Sequence, residues 1–400
     1  MVRRAAALLA ATGLATVGLA TTLGLTTVPA SAADRVKVGF IATLSGPSAA
    51  LGQDLLDGFK LGLKHRGGKL GGLPAELIET DDQLKPDVGR QAAERMVERD
   101  KVDIITGVVF SNVVMAMVKP VTRAKVFLVS SNAGPSALAG KDCDPYFFNT
   151  AWQNDNTHEA MGQHLTVKGV RRVYLMAPNY PAGTDALAGF KRLYKGEIVG
   201  EALTKLNQPD YAAELAQLRA AQPDAVYAFY PGGMAVNFVK QYAQAGLKEV
   251  APLYGPSFLL DQTVLPAQGD AALGLYNTSF WSLQLDNPAN KRFVADFEKE
   301  YGRLPSPYAA QSYDAAQLID GAVAAVGGRI EDKDAFRAAL EKADFPSVRG
   351  PFRFNRNHYP IQNYYLEKVV RDDKGRLVNE LQGTVLTDHG DAYAAECAMK

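Results

Sequence analysis

Short apolar runs alternate with stretches of helical period along most of this chain, in two successive series. In the first, residues 36–43 form a continuous apolar run, as in a strand buried on both faces. Residues 52–64 follow with Leu55, Phe59 and Leu63 at i, i+4 and i+8, a helical stripe. "AELIET" reads as a strand, and Pro86 opens a helix reaching about Arg99. "VDIITGVV" is a strand, 112–123 a helix, and "KVFLVSS" and "YFFNTAW" are strands. The second series restarts at "RRVYLMAP" and runs through "AGTDALAGFKRLY", "GEIVGEALTK", "YAAELAQLRAA", "DAVYAFY" and "GMAVNFVKQYAQAG" to "APLYGPS". Such alternation demands parallel sheets covered by helices, and two series imply two doubly wound α/β lobes. Helices are expected at 288–301, 308–326 and near 333–343. "PFRFN", "IQNYYLEKVVR" and "LQGTVLT" then alternate as an antiparallel appendage.

Residues 1–32 have the form of a signal peptide: Arg3 and Arg4, an apolar run diluted by Gly and Thr, then Ala30-Ser31-Ala32. We expect a mature chain starting at Ala33, exported to a periplasm, with no cysteine near the cleavage site to carry lipid. What remains exceeds one core and suits two domains. Lys+Arg and Asp+Glu both number 43, so the basic excess of a nucleic-acid binder is missing. The two cysteines, Cys143 and Cys397, are expected to pair in an oxidising compartment.

The motifs of catalysis do not occur. The chain has no G-x-S-x-G elbow, no G-x-G-x-x-G and no Walker loop. His158 and His164 in "HEAMGQH" are six apart, on different faces of a helix, and read as surface histidines rather than metal ligands. We therefore expect neither an enzyme nor a cofactor or metal.

Gly-Pro-Ser follows an apolar run three times, at Gly46-Pro47-Ser48, Gly134-Pro135-Ser136 and Gly255-Pro256-Ser257. In open parallel sheets ligands sit beyond such strand ends, where loop amides and helix N-termini favour anions. The first triplet reads as an ordinary helix start. "VVFSNVV" ends a strand with Phe110 and starts a helix with Ser111-Asn112. "SSNAGPSA" offers Asn132, Ala133 and Gly134. Hydroxyls, an amide and free N–H groups without Lys or Arg suit one carboxylate better than a phosphate.

Over most of its length the chain resembles a type I periplasmic binding protein of the leucine/isoleucine/valine-binding family. The likeness rests on "VKVGFIATLSGPSAALGQDLLDGFKLGL", "TDDQLKPDVGRQAAERMV", "VDIITGVVFSN", "LVSSNAGPSA", "LYGPSF" and "PYAAQSYDAAQLI" in that order. It implies two Rossmann-like lobes joined by three crossovers, near 150–154, 276–281 and 350–359. One lobe would comprise 33–150 and 281–352, the other 151–280 and 353–400. The resemblance places a ligand carboxylate on Ser111 and on the loop at Ala133 and Gly134, with Asn112 adjacent. It also implies ABC permease subunits as partners and a monomeric receptor. In the family a Glu for the ligand ammonium follows the Gly-Pro of the "LYGP" strand. Here Ser257 stands there, followed by Phe258. A buried ammonium without a carboxylate partner is costly, so the expected ligand is a small acid with an aromatic or apolar body, benzoate- or cinnamate-like. Leu51, Phe110, Tyr180, Tyr230 and Phe258 are expected to line its apolar part, and the second and third triplets to face each other across the cleft. The alternative is a receptor for branched-chain or other hydrophobic amino acids, with Asp261 or Glu159 holding the ammonium.

Overall fold

A computed structural model describes residues 34–399, and the expected signal peptide lies outside them. The first series builds β1 (Val36–Ala42), β2 (Lys69–Leu70), β3 (Leu73–Asp81), β4 (Ile104–Gly107), β5 (Phe127–Ser130) and β6 (Phe147–Asn149). They form a sheet in the order β2-β3-β1-β4-β5-β6, parallel except at the β2–β3 pair. Between them run α1 (Ala49–His65), α2 (Pro86–Arg95), α3 (Ser111–Arg123) and the short α4 (Ser136–Ala139). The fully buried Val38, Phe40, Ile104, Ile105 and Leu128 explain why these strands read as unbroken apolar runs.

The second series builds α5 (Asn156–Val167), β7 (Arg172–Pro178), α6 (Pro181–Leu193), β8 (Glu197–Thr204), α7 (Ala212–Ala221), β9 (Ala225–Ala228), α8 (Gly233–Gln244), β10 (Leu253–Pro256), α9 (Leu265–Gln268) and β11 (Tyr276–Ser279). The chain then returns to the first sheet with α10 (Pro288–Tyr301), α11 (Pro307–Ala325) and α12 (Lys333–Lys342). α11 packs closely on α1 because glycine faces it: a Cβ on Gly58 would lie 2.1 Å from the Ala309 carbonyl, and one on Gly62 2.6 Å from Ala316 Cβ.

The C-terminal strands differ from expectation. β12 (Arg353–Phe354), β13 (Pro360–Arg371) and β14 (Leu377–His389) are not an appendage. β13 pairs antiparallel with β11 and carries β12 and β14, so the second sheet has eight strands, with β12-β13-β11-β10-β9-β7-β8 in line and β14 on β13. Alternate burial along β13 is that of a strand covered on one face. Cys143 and Cys397 are joined in a disulfide, tying the tail to the loop before β6. His158 is buried rather than on the surface, because α5 lies against β10 and β11.

The chain crosses between the sheets after β6, after β11 and before β12. Arg349, whose side chain is 1% exposed, braces two of these crossings. Its Nε donates to Asp314 of α11 at 2.9 Å, and its Nη1 to the Ala151 carbonyl and to Gln362 of β13, each at 2.9 Å. Its Nη2 donates to the Thr150 carbonyl. One guanidinium thus satisfies groups from the first crossing, from α11 and from β13, as its rigid fork allows.

Candidate ligand-binding site

The turn between β4 and α3 aims the first wall of the site. Val108, fully buried, has φ 67°, an unfavourable region for a β-branched residue. It is pinned by donating to the Ile41 carbonyl at 2.6 Å and accepting from the Ala133 amide at 3.1 Å. The strain delivers Phe110 in extended conformation, and α3 begins at Ser111. The first amides of a helix have no acceptor within it, so this terminus offers N–H groups and the positive end of the dipole.

A cavity of about 10 Å³, room for a water-sized probe and no more, lies between the lobes in front of Ser111. Six aromatic side chains surround it. Phe110 meets Tyr180 at 6.1 Å between ring centroids, and Tyr180 lies nearly parallel to Phe229 at 6.3 Å. Phe229 reaches Phe258 at 6.4 Å, and Phe258 touches Trp152 at 4.5 Å and Tyr308 at 5.3 Å. Phe110 and Tyr308 come from the first-sheet side, Tyr180, Phe229 and Phe258 from the second, and Trp152 from the first crossing. Burial pushes the Tyr180 and Tyr308 phenols well above their ordinary range, so both stay neutral.

Most polar groups around the cavity are engaged. Asn132 donates to the Val109 carbonyl at 2.5 Å and accepts from Gln311 at 2.7 Å. Asn154 donates to Ser111 Oγ at 3.1 Å and to Asp185 at 2.9 Å, and accepts from the Gly134 amide at 3.2 Å. Asp185 also takes the Ser136 amide and hydroxyl at 3.0 and 2.7 Å. Ser111 Oγ accepts from Asn154 and keeps its own proton to give. No Lys or Arg lines the space. Behind Trp152, His158 is bonded to the Tyr227 hydroxyl, and burial pushes its pKa down to about 3, so it stays neutral.

The structure brings Phe110, Ser111, Ala133, Tyr180 and Phe258 to the cavity, and not the other five expected residues. Tyr230 points the opposite way. It packs on Tyr211 and Phe238 at 4.9 and 4.7 Å, and its hydroxyl accepts from Thr204 at 3.2 Å. Its neighbour Phe229 takes the cavity position, because side chains alternate along an extended chain and Tyr227 and Phe229 share a face. The amides of Ala133 and Gly134 are both already bonded, to Val108 and Asn154. Asn112 stands on the next position of α3, beside the cavity rather than in it. Ser257 is fully buried with its Oγ unpartnered, behind Phe258. Leu51 lies under a contact across the lobes rather than in the cavity: a Cβ on Gly232 would meet its Cδ1 at 3.3 Å.

The first Gly-Pro-Ser opens α1 as expected, and it also makes a contact across the lobes. Gly233 N donates to the Pro47 carbonyl at 3.1 Å, so this triplet touches α8 across the cleft. The second touches α6 across the cleft, through Ser136 and Asp185. Three residues that sequence reasoning missed, Trp152, Phe229 and Tyr308, complete the aromatic wall. Period-two alternation in "DAVYAFY" was a usable signal for Phe229. Trp152, just beyond β6 and one of only two tryptophans, could also have been flagged.

Two doubly wound sheets joined by three crossings around an enclosed aromatic site define a ligand-clasping protein of the type I periplasmic binding fold. The sequence model described as periplasmic binding protein matches residues 35–375. Leu/Ile/Val-binding protein homolog 6 of Brucella melitensis is 30% identical over 374 residues, covering 90% of this chain and 94% of that one. A solute-binding protein of an ABC transporter from R. palustris, solved with benzoate, is 34% identical with TM-score 0.86, covering 91% of this chain and 99% of that one. Another from Rhodopseudomonas palustris BisB5, solved with 3,4-dihydroxy benzoic acid, is 31% identical with TM-score 0.83, covering 90% and 99%. The chain belongs to the periplasmic binding protein family.

Proposed function

We propose that this chain is the solute receptor of an ABC importer and binds a small aromatic carboxylate, benzoate- or cinnamate-like, between its lobes. The observation that carries the reading is the aromatic ring of the cavity, closed at one end by Ser111 on a helix N-terminus and holding no basic side chain. The likeness to two proteins solved with benzoic acids supports it. Ser111 Oγ and the opening amides of α3, at Ser111 and Asn112, take the carboxylate. The amides of Ala133 and Gly134 hold the walls in place. Residues 33–150 with 281–352 move as one lobe against 151–280 with 353–400. The receptor works without catalysis, as an exported monomer freed of residues 1–32, and hands its ligand to permease subunits in the inner membrane.

A second reading, the hydrophobic amino-acid receptor, draws on Asp261. This carboxyl is fully buried with Oδ2 unpartnered, and burial pushes its pKa up to about 7. It is not among the residues lining the cavity.

Calorimetric titration with benzoate, 4-hydroxybenzoate, cinnamate, leucine and phenylalanine decides between them. The aromatic acids are expected to bind at least about a hundredfold more tightly, a gap of roughly 2.7 kcal/mol. Micromolar binding of an amino acid with none of the aromatic acids refutes the proposal. Ser111→Ala removes a donor to a charged oxygen, worth roughly 1.5–3 kcal/mol. Affinity for the aromatic acids then falls about tenfold to a hundredfold, while the melting temperature of the free protein falls only slightly, through the lost hydrogen bond from Asn154.

A further inference from the structure

We infer that the indole of Trp152 is a ligand donor, the side chain through which this receptor reads an oxygen of its acid. The inference deepens the aromatic-acid reading and rests on it. Trp152 lines the cavity and is 3% exposed, yet its Nε1–H has no acceptor. A buried N–H is almost always paired in a native protein. The other tryptophan obeys that rule, since Trp281 Nε1 donates to Asn290 Oδ1 at 2.6 Å. An indole kept unsatisfied at the wall of a binding cavity therefore has its acceptor in the ligand.

The neighbouring groups sharpen the point. Apart from Ser111, the polar groups facing the cavity are committed to the protein: the Ala133 amide to Val108, the Gly134 amide to Asn154, and the side-chain amides of Asn132 and Asn154 to Val109, Ser111 and Asp185. The indole is free. Its backbone is fixed from one side, with the Trp152 amide donating to Asn149 Oδ1 at 3.0 Å and the carbonyl against Gly134. Its ring rests on the other, against Phe258 at 4.5 Å and His158 at 5.7 Å. A ligand oxygen bonded to Nε1 would be held by a residue of the first crossing whose ring touches the second lobe. An indole gives a donor and no acceptor, so the partner is an acceptor oxygen, either of the carboxylate or of a ring hydroxyl.

Trp152→Phe keeps an aromatic ring and deletes the N–H. The wild type and this variant are titrated with benzoate, 3-hydroxybenzoate and 4-hydroxybenzoate, and the melting temperature of each free protein is recorded. We expect a loss of affinity of about fivefold to fiftyfold, beyond what the modest fall in melting temperature from a smaller buried ring accounts for, because the free protein loses packing but no hydrogen bond. A loss equal for all three acids assigns the indole to the carboxylate. A loss confined to one hydroxylated acid assigns it to that hydroxyl. In Trp281→Phe, Trp152 is the sole tryptophan, and its emission is expected to change on binding. Unchanged affinities in Trp152→Phe, with the wild type binding these acids, overturn the inference and leave the receptor reading standing. A drop in melting temperature matching the loss of affinity assigns Trp152 to packing alone and also overturns it. No binding of any of the acids by the wild type overturns both.

Discussion

Single side chains decide what this protein can hold. Ser111 was legible in the sequence because a strand running into Ser-Asn opens a helix, and helix N-termini take anions. Arg349 was not, and Trp152 showed only as a rare residue beyond a strand end, because each derives its role from groups more than a turn away in the chain. Glu367 shows the same effect in its ionisation. It lies on β13, 2% exposed, with the Ser282 hydroxyl as its hydrogen-bonding partner, and burial pushes its pKa from 4.5 up to about 8. A carboxyl whose folded pKa is raised contributes stability that is fully present below its unfolded pKa. That stability is lost as pH climbs through the folded value. Asp261, raised to about 7, and Asp155, raised to about 6, act in the same direction. The buried His158, held down at about 3, acts the opposite way below its ordinary value of 6.5, so the melting temperature is expected to fall as pH rises from about 6.5 to 8.5. Glu367→Gln should match the wild type near pH 4.5 and exceed it at pH 8.5, by on the order of 5 kcal/mol at most. Melting curves at four pH values check this, and a variant no more stable at pH 8.5 removes Glu367 as a cause.

Between elements, the loops at strand ends matter more than the strands. The three Gly-Pro-Ser triplets looked alike in sequence, yet the structure uses each differently. Pro47 accepts from Gly233 across the cleft, Ser136 donates to Asp185, and Ser257 is buried behind Phe258. The contact at Gly233 tolerates no side chain. A Cβ there would lie 2.8 Å from Pro47 Cβ and 2.9 Å from the Pro47 carbonyl oxygen. Gly233 begins α8, where alanine is intrinsically preferred, so Gly233→Ala does not strain its own lobe. It opposes only the approach of the two lobes, at roughly 1–3 kcal/mol for an overpacked contact. Affinity is expected to fall about fivefold to a hundredfold while the free protein melts no lower than the wild type. Unaltered affinity would show that this contact is not made when ligand is held.

Across the whole chain the disulfide acts on the unfolded ensemble. Cys143 and Cys397 are 254 residues apart, so their bond closes most of the protein into one loop. In the chain-entropy model such closure is worth up to about 5–6 kcal/mol, less any strain. The tail it holds also carries Tyr393, which donates to Asp155 at 2.9 Å and accepts from Arg192 at 3.0 Å, beside the first crossing. Cys397→Ser is expected to lower the melting temperature clearly and to leave aromatic-acid affinity within about threefold, since neither cysteine lines the cavity. Alkylation of the native protein followed by mass spectrometry should find no free thiol. Two alkylated cysteines would contradict the bond.

The order of strands and helices, their approximate ends and the helix that begins at Ser111 could all be read from residue order, because periodicity is local. A period of two or 3.6 is written within one element and needs no partner. The strand expected to end with Phe110 stops instead at Gly107, because Val108 turns the chain at φ 67°. Tertiary structure alone decided that Phe229 rather than Tyr230 faces the cavity and that β13 extends the second sheet. It alone decided that the amides of Ala133 and Gly134 are already taken. It joined Pro47 to Gly233 and Asp314 to Arg349, and it left the Trp152 indole without a partner. Each of these depends on which distant groups are brought within about 3 Å of one another, the range in which a hydrogen bond forms, and no local pattern carries that information.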